Sequence, residues 1–181
     1  LPGFDSIEQA ALDPSSKMYE CQPDFIALIF SEYWLKKYIG KTSLVNKSDL
    51  EEAQNALSNL ISAIKSNSSA SILVGNQPHK TFALPAGNVS LEKVIGSNIA
   101  INKFNHWLGN IAERRLIIID IAESIFDSGG RKAMGNTNYF RARMAFEMSG
   151  TLSVAKEIAS AVCHLSGKTH RALVTDFDNT I

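Results

Sequence analysis

A chain of 181 residues with 45% hydrophobic residues carries enough apolar surface for one sizeable core, or for one domain and the beginning of another. Lysine plus arginine equals aspartate plus glutamate at 18 each, so no global field draws the molecule to nucleic acid or to an anionic membrane. No apolar run nears the roughly 20 residues a bilayer span needs, no secretory leader is visible, and the two cysteines, Cys21 and Cys163, form no Cys-x-x-Cys pair, which fits a reducing cytoplasm.

The amino-terminal stretch to Leu12 is short and amphipathic, and Asp13-Pro-Ser-Ser16 breaks it as a turn. Phe25 to Phe30 is a continuous apolar run of strand length, the pattern of a strand covered on both faces. A polar link from Gly40 to Lys47 leads to Ser48-Asp-Leu-Glu51, a capping-box pattern that opens a helix. Leu50, Ala53, Leu57, Leu60, Ile61 and Ile64 then recur at helical spacing and define its apolar face.

Ser71 to Gly75 is a second buried strand, stopped by Asn76-Gln-Pro78, and a long loop spans His79 to Asn88. A second helix is expected over Asn98 to Arg115, with Ile101, Phe104, Trp107, Leu108 and Ile111 inward. The third strand, Leu116 to Ile119, ends at Asp120; Ile121 to Phe126 is helical and Asp127-Ser-Gly-Gly130 turns. From Thr151 a helix places Leu152, Ala155, Ile158, Ala159, Val162 and Leu165 inside, with Cys163 a buried thiol and Gly167 the C-cap. The alternation of strand and helix argues for an α/β fold with a parallel sheet and helices on both faces.

The last stretch, Arg171 to Ile181, carries the chemistry. Ala172 to Thr175 is a β-leaning run that ends in Asp176-Phe-Asp-Asn-Thr180. Residues i and i+2 leave a strand on the same face, so Asp176 and Asp178 project together from a strand's carboxyl end, where open α/β sheets hold their ligands. Two carboxylates so close need a cation or a shared proton, and a hard divalent ion such as Mg²⁺ suits such oxygen donors. A carboxylate can also attack phosphorus and split one hard displacement into two easier steps.

Leu173-Val-Thr-Asp-Phe-Asp-Asn-Thr180 resembles the first motif of the haloacid dehalogenase (HAD) superfamily of phosphoryl-transfer enzymes. In that resemblance Asp176 is the nucleophile and a Mg²⁺ ligand. Asp178 is the general acid/base and gives the metal its backbone carbonyl, and Thr180 is a supporting hydroxyl. Together with Leu12-Asp-Pro-Ser-Ser-x-x-Tyr19, Phe25 to Phe30, Ser71-Ile-Leu-Val74, Ile101-Asn-x-Phe104 and Leu116-Ile-Ile-Ile-Asp120, the chain resembles the FkbH-like family. Its members join an SGNH-hydrolase-like domain to a phosphatase-type domain of HAD subclass IIIC.

The resemblance implies a three-layer, flavodoxin-like domain over residues 1–167, lacking its first strand, and the first strand of a HAD Rossmann-like domain over residues 168–181. Both ends are read as cut, so these residues alone are expected to be inactive. It further implies Mg²⁺-dependent phosphoryl chemistry on a phosphorylated three-carbon acid, and transfer of a glyceryl group to an acyl carrier protein in polyketide or surface-glycan assembly.

An active SGNH hydrolase needs an Asn-bearing oxyanion loop, where this chain reads Ser31-Glu-Tyr-Trp34, and an Asp-x-x-His, where it reads Asn136 to Arg143 without histidine. A carrier-recognition module is therefore the main alternative, and an SGNH-type esterase or acyltransferase a weaker one. Arg131, Arg141 and Arg143 form the candidate contact to phosphate or to the carrier.

Overall fold

The computed structural model describes residues 7–39, 44–79, 88–134, 138 and 144–168. Two short helices, α1 (Ile7–Leu12) and α2 (Lys17–Glu20), lead to strand β1 (Phe25–Leu28) and helix α3 (Glu32–Ile39). Strand β2 (Leu44–Asn46) precedes the long helix α4 (Lys47–Asn67), followed by β3 (Ser71–Gly75), β4 (Val94–Gly96) and α5 (Ser97–Asn110). Strand β5 (Leu116–Ile119), helix α6 (Ile121–Asp127), a 3-10 turn (Gly130–Ala133) and helix α7 (Met148–Leu165) complete the described elements.

The strands β1, β3 and β5 form a parallel sheet in that order, with Ile26 opposite Ile72 and Val74 opposite Ile118. The side-chain period of two divides the core between its faces. Ile26, Leu28, Ile72, Val74 and Leu116 pack on one side with Leu57, Ile61 and Ile64 of α4 and Phe104 and Leu108 of α5. Leu73 and Ile119 pack on the other with Ile121 and Ile125 of α6 and Val154 of α7. The domain is thus a three-layer α/β/α sandwich of flavodoxin type, as the alternation of elements implies.

Several local expectations are corrected. Ala27 is exposed, so β1 is open on one side there instead of covered on both faces. The polar link hides a strand: β2 pairs antiparallel with β4, Val45 opposite Ile95. That ladder starts α4 earlier, at Lys47, with Asn46 as N-cap instead of the Ser48 capping box. Asn46 and Asp49 still join across the first turn, Nδ2 donating to Oδ2 at 3.2 Å.

Helix α5 stops at Asn110, five residues short of Arg115. The freed Arg115 guanidinium donates to the carbonyls of Ser68 at 2.6 Å and Ala70 at 3.1 Å, which fixes the entry to β3. Helix α7 ends in a Schellman motif: Lys168 N–H donates to Cys163 O at 2.9 Å and Gly167 N–H to His164 O at 3.0 Å, with Gly167 at φ +68°. The expected C-cap glycine is therefore in place. The inward set of α7 is in place only in part: Ile158 and Val162 pack inward, while Leu152, Ala155, Ala159 and Leu165 are exposed, and so is Cys163.

Candidate ligand cleft at the carboxyl edge of the sheet

Strand β3 ends at Gly75 because β3 and α6 approach too closely for any side chain there. An added Cβ would stand 2.6 Å from Ile121 Cγ1 and 3.2 Å from Ile29 Cδ1. That close approach brings the next residue, Asn76, against the end of β5. Asn76 N–H donates to Ile119 O at 3.1 Å, its Nδ2 donates to Asp120 Oδ1 at 2.9 Å, and its Oδ1 accepts from Ala122 N–H at 2.8 Å. Asp120 caps α6, its Oδ1 also accepting from Glu123 N–H at 3.0 Å. One amide and one carboxylate thereby lock the carboxyl ends of two parallel strands.

Gln77 follows, only 2% exposed. Its backbone is held by a two-point clamp from α5: Gln77 N–H donates to Asn105 Oδ1 at 2.8 Å, and Asn105 Nδ2 donates to Gln77 O at 2.8 Å. One turn earlier on the same helix, Asn102 Oδ1 meets His79 Nε2 at 2.5 Å. The spacing of three residues puts both asparagines on one face of α5.

Between these groups lies a cleft of about 540 Å³, closed on its far side by Ile125, Phe126, Gly130 and Met134. That volume is within the usual range for small-molecule sites. The position, beyond the carboxyl ends of parallel strands, is where open α/β sheets bind their ligands. Its described lining supplies amides, an imidazole and the carboxylates of Asp120 and Glu123, with no serine, threonine, cysteine, lysine or arginine. It can hold hydroxyl and amide groups, but these residues provide no hydroxyl or thiol nucleophile for acyl transfer.

Of the residues assigned from the sequence, Arg131 alone is among those described. Asp176, Asp178 and Thr180 lie outside the described residues, as do Arg141 and Arg143. Arg131 lies in the 3-10 turn Gly130–Ala133, whose first residue lines the cleft. Among the described residues no group of three or more His, Cys, Asp or Glu side chains is placed to hold a metal ion, and no helix is long and apolar enough to cross a membrane.

Sequence reasoning passed over Asn76, Asn102 and Asn105. It looked for an asparagine after β1, where the chain instead enters α3 at Glu32. The asparagine at the carboxyl edge follows β3. A signal for it was present: Val74-Gly75-Asn76 and Ile119-Asp120 are both apolar strands running directly into a polar side chain.

A family model described as the FkbH N-terminal domain matches residues 2–163. No curated protein matches the chain. Among solved structures, it is similar to the N-terminal part of the protein BF1531 from Bacteroides fragilis, described as containing a phosphatase domain complexed with Mg. The identity is 17% and the TM-score 0.73, over 98% of this chain and 47% of that one. At that identity the likeness speaks for the fold, and the three-layer architecture agrees with it. The chain spans about half the length of that structure.

Proposed function

The chain belongs to the family of FkbH N-terminal domains, and from that premise we propose that it is the amino-terminal part of a two-domain, Mg²⁺-dependent phosphoryl-transfer enzyme. One observation carries the reading. The family match ends at residue 163, and Asp176-Phe-Asp-Asn-Thr180 follows within a few turns of chain. Residues 168–181 then begin the catalytic domain.

In this reading Asp176 attacks the phosphorus of a phosphorylated three-carbon acid. The new bond joins its carboxylate oxygen to phosphorus, and the bond from phosphorus to the leaving oxygen breaks. Asp178 gives that leaving oxygen its proton and, now a carboxylate, takes a proton from the incoming nucleophile. Thr180 supports the pair by hydrogen bonding. The Asp176 carboxylate and the Asp178 backbone carbonyl offer the hard oxygen donors that suit Mg²⁺, which would neutralise charge on the transferring phosphoryl group. Asp176 takes the ester phosphoryl group, so the acid keeps its acyl phosphate. The thiol of an acyl carrier protein attacks that carbonyl carbon, the C–S bond forms as the C–O bond to phosphate breaks, and phosphate leaves, with Arg131, Arg141 and Arg143 as the contact to phosphate or carrier.

The cleft gives the amino-terminal domain a recognition role within this scheme. Asn102 and His79 match hydroxyl and amide groups, and the two carboxylates disfavour a bare anion. The same lining favours the second reading, a non-catalytic carrier-binding module, for these residues taken alone. Against the esterase reading stand Ser31-Glu-Tyr-Trp34 and Asn136 to Arg143, which carry neither the expected oxyanion Asn loop nor the Asp-x-x-His.

The test uses the whole protein. Phosphate release from 1,3-bisphosphoglycerate is expected to require Mg²⁺ and to be abolished by Asp176→Asn, with a matching mass gain on a carrier protein. Release without carrier loading would leave a plain phosphatase. No metal-dependent release from any phosphorylated acid would leave the binding module.

A further inference from the structure

Helix α7 carries two apolar faces where a surface helix needs one. Gly150 and Val154 are buried, and Ile158 and Ala161 pack beside them against the core cluster that includes Ile125 and Ala133. These positions form the inner stripe. Met148 is 77% and Leu152 55% exposed, and Ala155, Ala159 and Cys163 continue on the same line, all exposed. At 100° per residue this outer stripe stands roughly 130° away from the inner one. Glu157, Ser160 and His164 occupy the third side.

An exposed line of Met, Leu and Ala along a whole helix is the kind of surface that globular proteins cover. The chain itself restricts what the cover is. Helix α7 ends at Leu165, the Schellman motif at Gly167 turns the chain off the helix axis, and the apolar run of the terminal motif begins at Ala172. Six residues, 166–171, separate them. Fully extended they reach at most about 25 Å, close to the roughly 27 Å length of an 18-residue helix. Whatever unit begins at Ala172 is therefore tethered within one helix length of this stripe. A tether that short holds it at an effective concentration of about millimolar or higher, which a free partner would have to outcompete.

We propose that the outer stripe of α7, Met148, Leu152, Ala155 and Ala159, is the docking surface for the domain that residues 172–181 begin. The inference rests on the two-domain reading above and adds the surface by which the two units are held together. The interface keeps the catalytic domain against the last helix of the recognition domain, so the two do not swing freely on the linker.

The linker offers its own probe, because Lys168 and Arg171 are trypsin sites within it. In the whole protein, docking shields these bonds. Leu152→Glu and, independently, Ala159→Glu are expected to speed tryptic nicking at Lys168 and Arg171 at least tenfold. Ser160→Glu, the same charge on the polar side of α7, is expected to leave the rate at the wild-type value. Equal rates for wild type, Leu152→Glu and Ala159→Glu would overturn the proposal. So would acceleration by Ser160→Glu, since the effect would then be one of helix stability. Light scattering that shows a dimer turned to monomer by Leu152→Glu would assign the stripe to a second copy and equally overturn it. Phosphate release by the wild-type protein, measured in the same samples, reports on the catalytic reading separately. Its absence alongside accelerated nicking would cost the phosphoryl chemistry and leave the docking surface standing.

Discussion

Replacing Gly150 by alanine sets two known effects against each other at one site. Inside a helix, Gly→Ala ordinarily stabilises by about 1 kcal/mol, because glycine loses more backbone freedom on folding. Here a Cβ would stand 2.5 Å from the carbonyl oxygen of Ala133 and 2.9 Å from Ile125 Cδ1. The isoleucine tip can rotate, but the carbonyl is backbone in the 3-10 turn and already accepts from Glu147 N–H at 3.0 Å. Relief requires α7 to lift from that turn. Overpacking of this kind costs about 1–3 kcal/mol, and weakening the Glu147 bond about 1 kcal/mol more. After subtracting the helix gain, Gly150→Ala is expected to destabilise by about 1–3 kcal/mol, a fall in Tm of about 3–10 °C for a domain of this size. Gly109→Ala is the control, because the same change on α5 meets nothing within 4 Å and should be neutral to stabilising by up to about 1 kcal/mol. Urea titration followed by circular dichroism checks both. A Gly150→Ala protein as stable as Gly109→Ala would mean that α7 does not seat against the 3-10 turn.

Two further outcomes follow from the hydrogen bonds and burial. Asn105→Ala removes both bonds to the Gln77 backbone and leaves a buried N–H and C=O unpaired, which should cost about 2–4 kcal/mol. Asn102→Ala, whose partner His79 is exposed, should cost less than about 1 kcal/mol in the same titration. Burial holds the phenols of Tyr19 and Tyr38 above the ordinary tyrosine value, and at Tyr38 the Glu8 carboxylate, which accepts from its hydroxyl, adds to the rise. Both pKa values are raised in the folded state, so this contribution to stability is full below the unfolded value near 10 and is lost as pH rises through the folded values. Absorbance at 295 nm should show these two phenols ionising later in the folded protein than in urea, and coincident curves would contradict the packing of α1 against α2 and α3.

The three central strands were legible because Phe25 to Phe30, Ser71 to Gly75 and Leu116 to Ile119 are apolar runs of strand length bounded by polar residues. Helix α4 was legible in the spacing of its six buried side chains. Strands β2 and β4 were not: each has three residues, and they exist only because Val45 and Ile95, fifty residues apart, meet over α4 and α5. Helix α5 was drawn too long because Ile111 keeps the period while the chain turns away at Asn110 to bring Arg115 to β3. On α7 the apolar period was correct, but the spacing of Leu152, Ala155 and Ala159 is as helical as that of Val154, Ile158 and Ala161. Periodicity alone cannot say which stripe α6 will cover. The Asp176-Phe-Asp-Asn-Thr180 motif was read from local sequence, while the cleft depends on Asn76 meeting Asp120 across 44 residues, a pairing no local pattern contains.

How that cleft is built bears on what it can recognise. Asn76 spends its Nδ2 and Oδ1 on Asp120 and Ala122, and Asn105 spends both ends of its amide on Gln77. These groups are therefore a fixed wall and cannot turn toward a ligand without breaking the sheet edge. Asn102 and His79, exposed and joined only to each other, are the described polar pair that a ligand can engage by exchanging one bond for another. An incoming hydroxyl or amide can replace that bond with little loss, because it both donates and accepts. A phosphate offers acceptors alone and meets the carboxylates of Asp120 and Glu123 in the same wall. The balance favours an uncharged ligand group over an anion in this cleft.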